Sequence, residues 1–407
     1  MTSWIGAKTR GAARLLLGAA LALGAARAPA AQDAEAFEIV YLERAPAPRP
    51  VLSNLDPRPA DLGLAGARLG VADNAAMGRF LGQSWRLSEF VVPPEGDFAA
   101  AARAALARGA PVIANAPAED LLALADMPEA AGALIFNAAA REDALRRGAC
   151  RANVLHTIPS RAMLADALAQ FLVRKRWTRW FVIEGRGARD RAFADAMARA
   201  AAKFGARIVE RREWPLDADI RRTASSEAPL LTQAPEHDVL ILADEADDWD
   251  RYIPYNTFSP RPVAGTEGME PVAWSRPVEA WGAAQLQSRF RDLAGRDMTS
   301  EDYAAWAAAR AVGEAVTRLA AGRDPHDPRA LRAHLLSGAF EMGGFKGRKL
   351  SFRPWNGQLR QPIPLTHPRA LVAQAPIEGF LHRVTELDTL GYDQPEAGCA
   401  AFEDKGE

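Results

Sequence analysis

The sequence predicts an α/β protein of two Rossmann-like lobes, each a parallel sheet covered by helices. Three observations carry that prediction. Short continuous apolar runs, such as Trp180-Phe181-Val182-Ile183 and Val239-Leu240-Ile241-Leu242, fit strands buried on both faces. Segments with helical apolar spacing alternate with those runs, which is the order of a parallel sheet. A chain of 407 residues also exceeds one ordinary core and suits two.

The clearest unit is residues 153–214. Asn153-Val154-Leu155-His156 reads as a strand closed by Pro159, and Ser160 can cap a helix with Leu164, Leu168, Phe171 and Leu172 on one face. The apolar run 180–183 is the next strand and Glu184-Gly185-Arg186-Gly187 its turn. A second helix follows with Phe193, Met197, Ala200 and Phe204 inward, stopped by Gly205. Arg207 then opens another strand.

Upstream, residues 37–42 form the first expected strand, followed by a Pro-rich loop at 45–50. Leu62, Ala65, Leu69, Ala72 and Ala76 share a helical face, although the glycines among them weaken a helix. Strands are expected at 85–92, 111–114 and 133–136, and helices at 98–108, 121–125 and 141–147. Downstream, strands are expected at 238–242 and 261–265. Helices follow at 279–293, at 300–321 with Thr299 or Ser300 and Asp302 at its start, and at 327–336.

The N-terminus has Lys8, Arg10 and Arg14, then the apolar run 15–23, then Ala28-Pro29-Ala30. That is the pattern of a signal peptide over residues 1–30, cleaved near Ala30, and no later stretch is long and apolar enough to cross a membrane. The expected product is exported to the periplasm, with no membrane insertion after cleavage. Export favours a bridge between the two cysteines, Cys150 and Cys399, over two unpaired thiols. A net charge of -1 gives no general attraction to nucleic acid or anionic lipid.

The order of these segments resembles the leucine/isoleucine/valine-binding, type I class of periplasmic substrate-binding proteins of ABC transporters. The residues that carry it are the Pro159-Ser160 step before a helix, a strand and a turn; the turn Asn74 to Gly82; and the segment Met342-Gly343-Gly344-Phe345-Lys346-Gly347-Arg348-Lys349-Leu350-Ser351-Phe352. The resemblance covers residues 37–390. It implies three hinge crossovers, near residues 156–159, 270–275 and 343–352. The N-terminal lobe is then 31–157 with 275–343, the C-terminal lobe 158–274 with 344–390, and the tail 391–407. It further implies a monomer that is not an enzyme, takes a small-molecule ligand in its cleft and meets an inner-membrane ABC permease. A narrower likeness, in residues 265–274 and 354–362, is to a subgroup accompanying pyrroloquinoline-quinone-dependent alcohol dehydrogenase systems. The alternative it raises is an accessory cofactor- or metal-binding protein of such a dehydrogenase.

In open parallel sheets, ligands sit beyond the carboxyl ends of the strands. That rule selects Asn115, Asn137, Glu184 with Arg186, Asp244 with Glu245, and Thr266 with Glu267 as ligand-binding candidates. Each could instead cap a following helix. Trp274 could supply an apolar wall. The resembled amino-acid receptors place small hydroxyl residues where this chain has Asn115 and Asn137, so the expected ligand is a small polar organic molecule and not a branched-chain amino acid. The acidic run 244–250 reads as first-turn acids opposing a helix dipole in preference to a calcium-type site. Asp190 would repel a pyrophosphate at Gly185-Arg186-Gly187, and no nucleophile elbow, P-loop or metal-ligand spacing is present. No cofactor, metal or catalytic residue is expected.

Overall fold

The computed structural model describes residues 34–48, 58–215, 220–319 and 322–403, with the side chains of 220–222 left aside. The expected signal peptide and the end of the Pro-rich loop lie outside the described residues.

The first lobe is built on five parallel strands: β1 (Glu35–Arg44), β2 (Gln83–Val92), β3 (Val112–Asn115), β4 (Ile135–Asn137) and β5 (Val154–His156), in the order β2-β1-β3-β4-β5. Helices α1 (Leu64–Leu81), α2 (Phe98–Leu106) and α3 (Ala118–Ala125) make its first connections. The glycines of α1 do not break it. The segment expected as a helix at 141–147 is instead a single 3-10 turn, Asp143–Arg146.

The second lobe holds α4 (Arg161–Arg174), β6 (Arg179–Glu184), α5 (Ala188–Phe204), β7 (Arg207–Glu213), α6 (Ile220–Leu231), β8 (Val239–Ala243) and β9 (Val263–Gly265). Its sheet is also parallel, ordered β7-β6-β8-β9. Ser160 caps α4 by accepting from the Met163 N–H, and Gly205 ends α5 in the left-handed region, as the sequence implies.

The chain then returns. Strand β10 (Glu270–Pro271) belongs to the second lobe, while Ala273 and Trp274 are buried in the first core. Helices α7 (Ala283–Ala294), α8 (Ser300–Arg318) and α9 (Pro328–Leu335) complete the first lobe, with α8 packed along α1. The sequence starts α7 at 279, but Trp281 has positive φ and the helix begins only at Ala283. Strands β11 (Met342–Gly343), β12 (Lys349–Phe352) and β13 (Leu359–Arg360) stay with the first lobe, where Leu350, Phe352 and Leu359 are core residues. Only β14 (Ile363–His367) and β15 (Ala370–Ala375) enter the second core. The third passage therefore falls at residues 361–362, beyond the segment 343–352 that the sequence indicated.

Buried side chains tie the first crossover to the third. Gln361 Nε2 donates to Thr157 O at 2.8 Å, and Gln358 Nε2 to His156 O and Ile158 O at 3.2 Å. Lys346 Nζ, fully buried over the Tyr303 ring, donates to Gln361 Oε1 at 2.6 Å and Pro362 O at 3.1 Å. Burial drives its ammonium well below the usual lysine range. These donors meet buried carbonyl oxygens, and Ile158 O also accepts from Arg146 Nη2 at 3.0 Å. The tail is anchored too: Cys150 and Cys399 are joined, with Cα atoms 5.8 Å apart, and the Gly391 N–H donates to buried Asp166 at 2.8 Å.

Candidate functional site

Between the lobes lies a cavity of about 510 Å³, a size that holds a small organic molecule. Its first-lobe wall comes from the turn after β4 (Arg141), the returning segment (Trp274 to Pro277) and the start of α8 (Thr299 to Glu301). Its second-lobe wall comes from α4, α5, the loop after β8 (Asp244, Glu245), the end of β9 (Gly265, Thr266) and Glu270. In the second lobe the exits of β8 and β9 reach the wall and that of β6 does not, while in the first lobe the wall is mostly supplied by a helix N-terminus from far along the chain.

An ion-pair bridge spans the two lobes beside this cavity. Arg161, at the start of α4, donates to both oxygens of Glu245, at 2.8 and 2.7 Å, and lies 3.2 Å from Glu142 of the first lobe. Arg189 adds a second bond to Glu245 at 3.2 Å. Burial alone would raise the Glu245 carboxyl, but the Arg161 guanidinium holds it below its usual range. On the opposite wall Arg141 donates to Glu301 at 2.8 Å.

The second-lobe wall is acidic. Asp244 is 3 % exposed; its Oδ2 accepts the N–H groups of Asp248, Trp249 and Asp250, and its Oδ1 has no partner among the described residues. Thr266 links the pair Asp244 and Asp250, accepting the Asp244 N–H at 2.9 Å and donating to Asp250 Oδ2 at 2.5 Å. Burial pushes the Asp244 carboxyl up to about 6, and burial with the charge of Asp244 raises Asp250 well above the usual range. Glu270 is partly buried and without hydrogen bond or ion pair among the described residues. Its burial, then Glu267 and Asp247, push its carboxyl up to about 8.

Of the sequence candidates, Asp244, Glu245, Thr266 and Trp274 come together in this cavity. The others are engaged elsewhere. Asn115 donates to Tyr41 Oη at 2.7 Å and Leu62 O at 3.0 Å. Asn137 is fully buried, donates to Ala140 O and accepts the Ala139 and Ala140 N–H groups, a turn closed on itself. Glu184 is held bidentately by Arg211 of the neighbouring strand, Arg186 pairs with Glu213 at the surface, and Glu267 accepts the N–H of Gly268. Arg141, Arg189, Glu270 and the start of α8 line the cavity without having been selected. The Thr299-Asp302 cap was the visible signal for the last of these.

A family model described as "Periplasmic binding protein" matches residues 64–243. No curated protein sequence matches the chain. Among solved structures, a branched-chain amino acid ABC transporter periplasmic ligand-binding protein from Burkholderia xenovorans aligns over 90% of this chain and 100% of its own, at 16% identity and TM-score 0.66. A leucine-, isoleucine-, valine-, threonine- and alanine-binding protein from Brucella ovis, in its closed conformation, aligns over 89% and 97%, at 14% and 0.63. An ABC transporter substrate-binding protein from Desulfitobacterium hafniense, in complex with Leu, aligns over 83% and 99%, at 19% and 0.61. Two parallel-sheet lobes crossed three times, with a cavity between them, have the fold of the type I periplasmic binding proteins.

Proposed function

We propose that the protein is the periplasmic solute-binding component of an ABC transporter, closing its lobes on a small organic ligand and presenting the closed form to an inner-membrane permease. The observation that carries this reading is the cavity lined by both lobes, which the chain joins at three crossovers and again through its disulfide-anchored tail. Asp244, Glu245, Thr266 and Trp274 are assigned to ligand contact. Asn115, Asn137, Glu184, Arg186 and Glu267 are assigned to the shape of the surrounding turns. The likeness of residues 265–274 and 354–362 to the alcohol-dehydrogenase-associated subgroup supports a link between this receptor and alcohol oxidation.

The test is thermal unfolding of the exported protein against amino acids, amines, carboxylates and alcohol-oxidation products. A solute at about a hundred times its dissociation constant adds about 2.7 kcal/mol, which is read as a higher melting temperature. Stabilisation by one chemical class, lost in Trp274→Ala or Thr266→Ala, is the expected result. A protein that no solute stabilises is not a solute receptor.

A further inference from the structure

The charges around the cavity do not cancel, and the imbalance is confined to one wall. Every arginine on the lining is committed. Arg141 holds Glu301 at 2.8 Å, Arg189 holds Glu245 at 3.2 Å and Arg276 lies 3.5 Å from Asp297. Arg58 sits in the field of Glu43 and is not free. The acids Glu245, Glu301 and Asp297 are consumed by these pairs. Two carboxylates are left over among the described residues. Asp244 has an unpartnered Oδ1 that is closed off from solvent, and the Glu270 side chain makes no hydrogen bond or ion pair. The start of α8 gives no compensating pull on an anion, because Glu301 and Asp302 already occupy its first turn.

We infer that the cleft selects an organic monocation, a protonated amine carrying no carboxylate, whose head seats against Glu270. The inference rests on the cleft being the ligand site. A buried carboxylate without a partner is costly until a charge meets it, so the ligand supplies the cation that the protein omits. A metal ion is the poorer occupant, since the described residues contain no group of three or more His, Cys, Asp or Glu side chains placed to hold one. Trp274, Leu164, Phe193 and Met298 give the rest of the cavity apolar surface, fit for a ring or short alkyl body. A zwitterion or an acid would have to share Arg141 with Glu301 or Arg189 with Glu245 to pair its carboxylate.

The groups around Glu270 reinforce the point. Glu267 lies on its own loop and Asp247 on the loop after β8, both acting against its ionisation. Thr366 is its partner across the strand pair, and Arg161 and Arg189, from α4 and α5, are both bound to Glu245. An amine therefore expels the Glu270 proton on binding. Its affinity rises as pH goes from about 6 to about 8, approaching tenfold per pH unit. A neutral or zwitterionic ligand seated elsewhere shows no such slope.

Calorimetry with four probes that share one body tests this: 2-phenylethylamine, phenylalanine, phenylacetate and 2-phenylethanol, with butylamine and benzylamine as further amines. An amine should bind best, with proton release at neutral pH. Glu270→Gln should weaken it roughly 10- to 100-fold while leaving a folded protein with an unchanged circular dichroism spectrum. Preference for phenylalanine or phenylacetate, failure of all the amines to bind, or an undiminished amine affinity in Glu270→Gln overturns the inference. Tight binding of a non-amine in the cleft would leave the receptor reading standing, whereas a protein that takes up no solute of any charge would remove that reading as well.

Discussion

Asp302→Ala should lower the unfolding free energy by about 3–5 kcal/mol, the usual cost of stripping one partner from a buried ion pair. Asp302 is fully buried at the third position of α8 and its two oxygens collect five donors. Oδ1 accepts the Gly63 N–H at 2.8 Å and Arg296 Nη2 at 2.9 Å. Oδ2 accepts Arg296 Nη1 at 2.7 Å and the Thr299 N–H and hydroxyl at 3.0 Å. Alanine leaves the Arg296 head partly buried beside Asp61 alone, removes the helix cap and orphans the N–H of Gly63, which stands just before α1 with φ 84. Asp302→Asn keeps the volume but loses the charge, so it should fall between wild type and Ala. Denaturant midpoints measured on the three proteins check this. A loss under about 1 kcal/mol for Ala would mean the network is dispensable.

The second large effect is expected at Gly66, inside α1. A Cβ built there would stand 1.9 Å from the backbone oxygen of Asp302, and one at Gly70 would stand 2.6 Å from Ala309 Cβ. A backbone oxygen and an alanine Cβ have no rotamer to change, so neither contact between α1 and α8 can be relieved locally. Gly66→Ala must push the helices apart through the aromatic core of Tyr303 and Trp306, at a cost of about 3 kcal/mol or more. Gly148→Ala, where a Cβ meets nothing within 4 Å, is the control and should change stability by less than about 0.5 kcal/mol. Thermal unfolding of both variants separates a packing glycine from a merely flexible one. Equal melting temperatures would contradict the close approach of α1 and α8.

The contrast between those glycines shows what the sequence can and cannot convey. Apolar runs at 180–183 and 239–242 announce buried strands because both faces of a parallel sheet are covered, and Ser160 and Gly205 mark helix ends because caps are local chemistry. The glycines of α1 look like helix weaknesses from sequence, since their use depends on a partner more than 200 residues away. Helix α6 escaped notice because Pro229 and its serines spoil the pattern. Within the site, the strand-exit rule found Asp244, Glu245 and Thr266 but also Glu184, whose fate is decided by Arg211 on the adjacent strand. Arg141, Arg189 and Glu270 were hidden for the same reason: their roles depend on which charges the crossovers bring opposite them. The third crossover was misplaced because β12 and β13 look alike whichever lobe they join.

On the proposed function, solute enters between the lobes and draws them together. Small-angle X-ray scattering of the protein, alone and saturated with whichever solute raises its melting temperature most, reads that closure directly. A smaller radius of gyration is expected in the saturated sample, with titration midpoints that match the calorimetric affinity. A stabilising solute that leaves the scattering profile unchanged at saturation would contradict that closure.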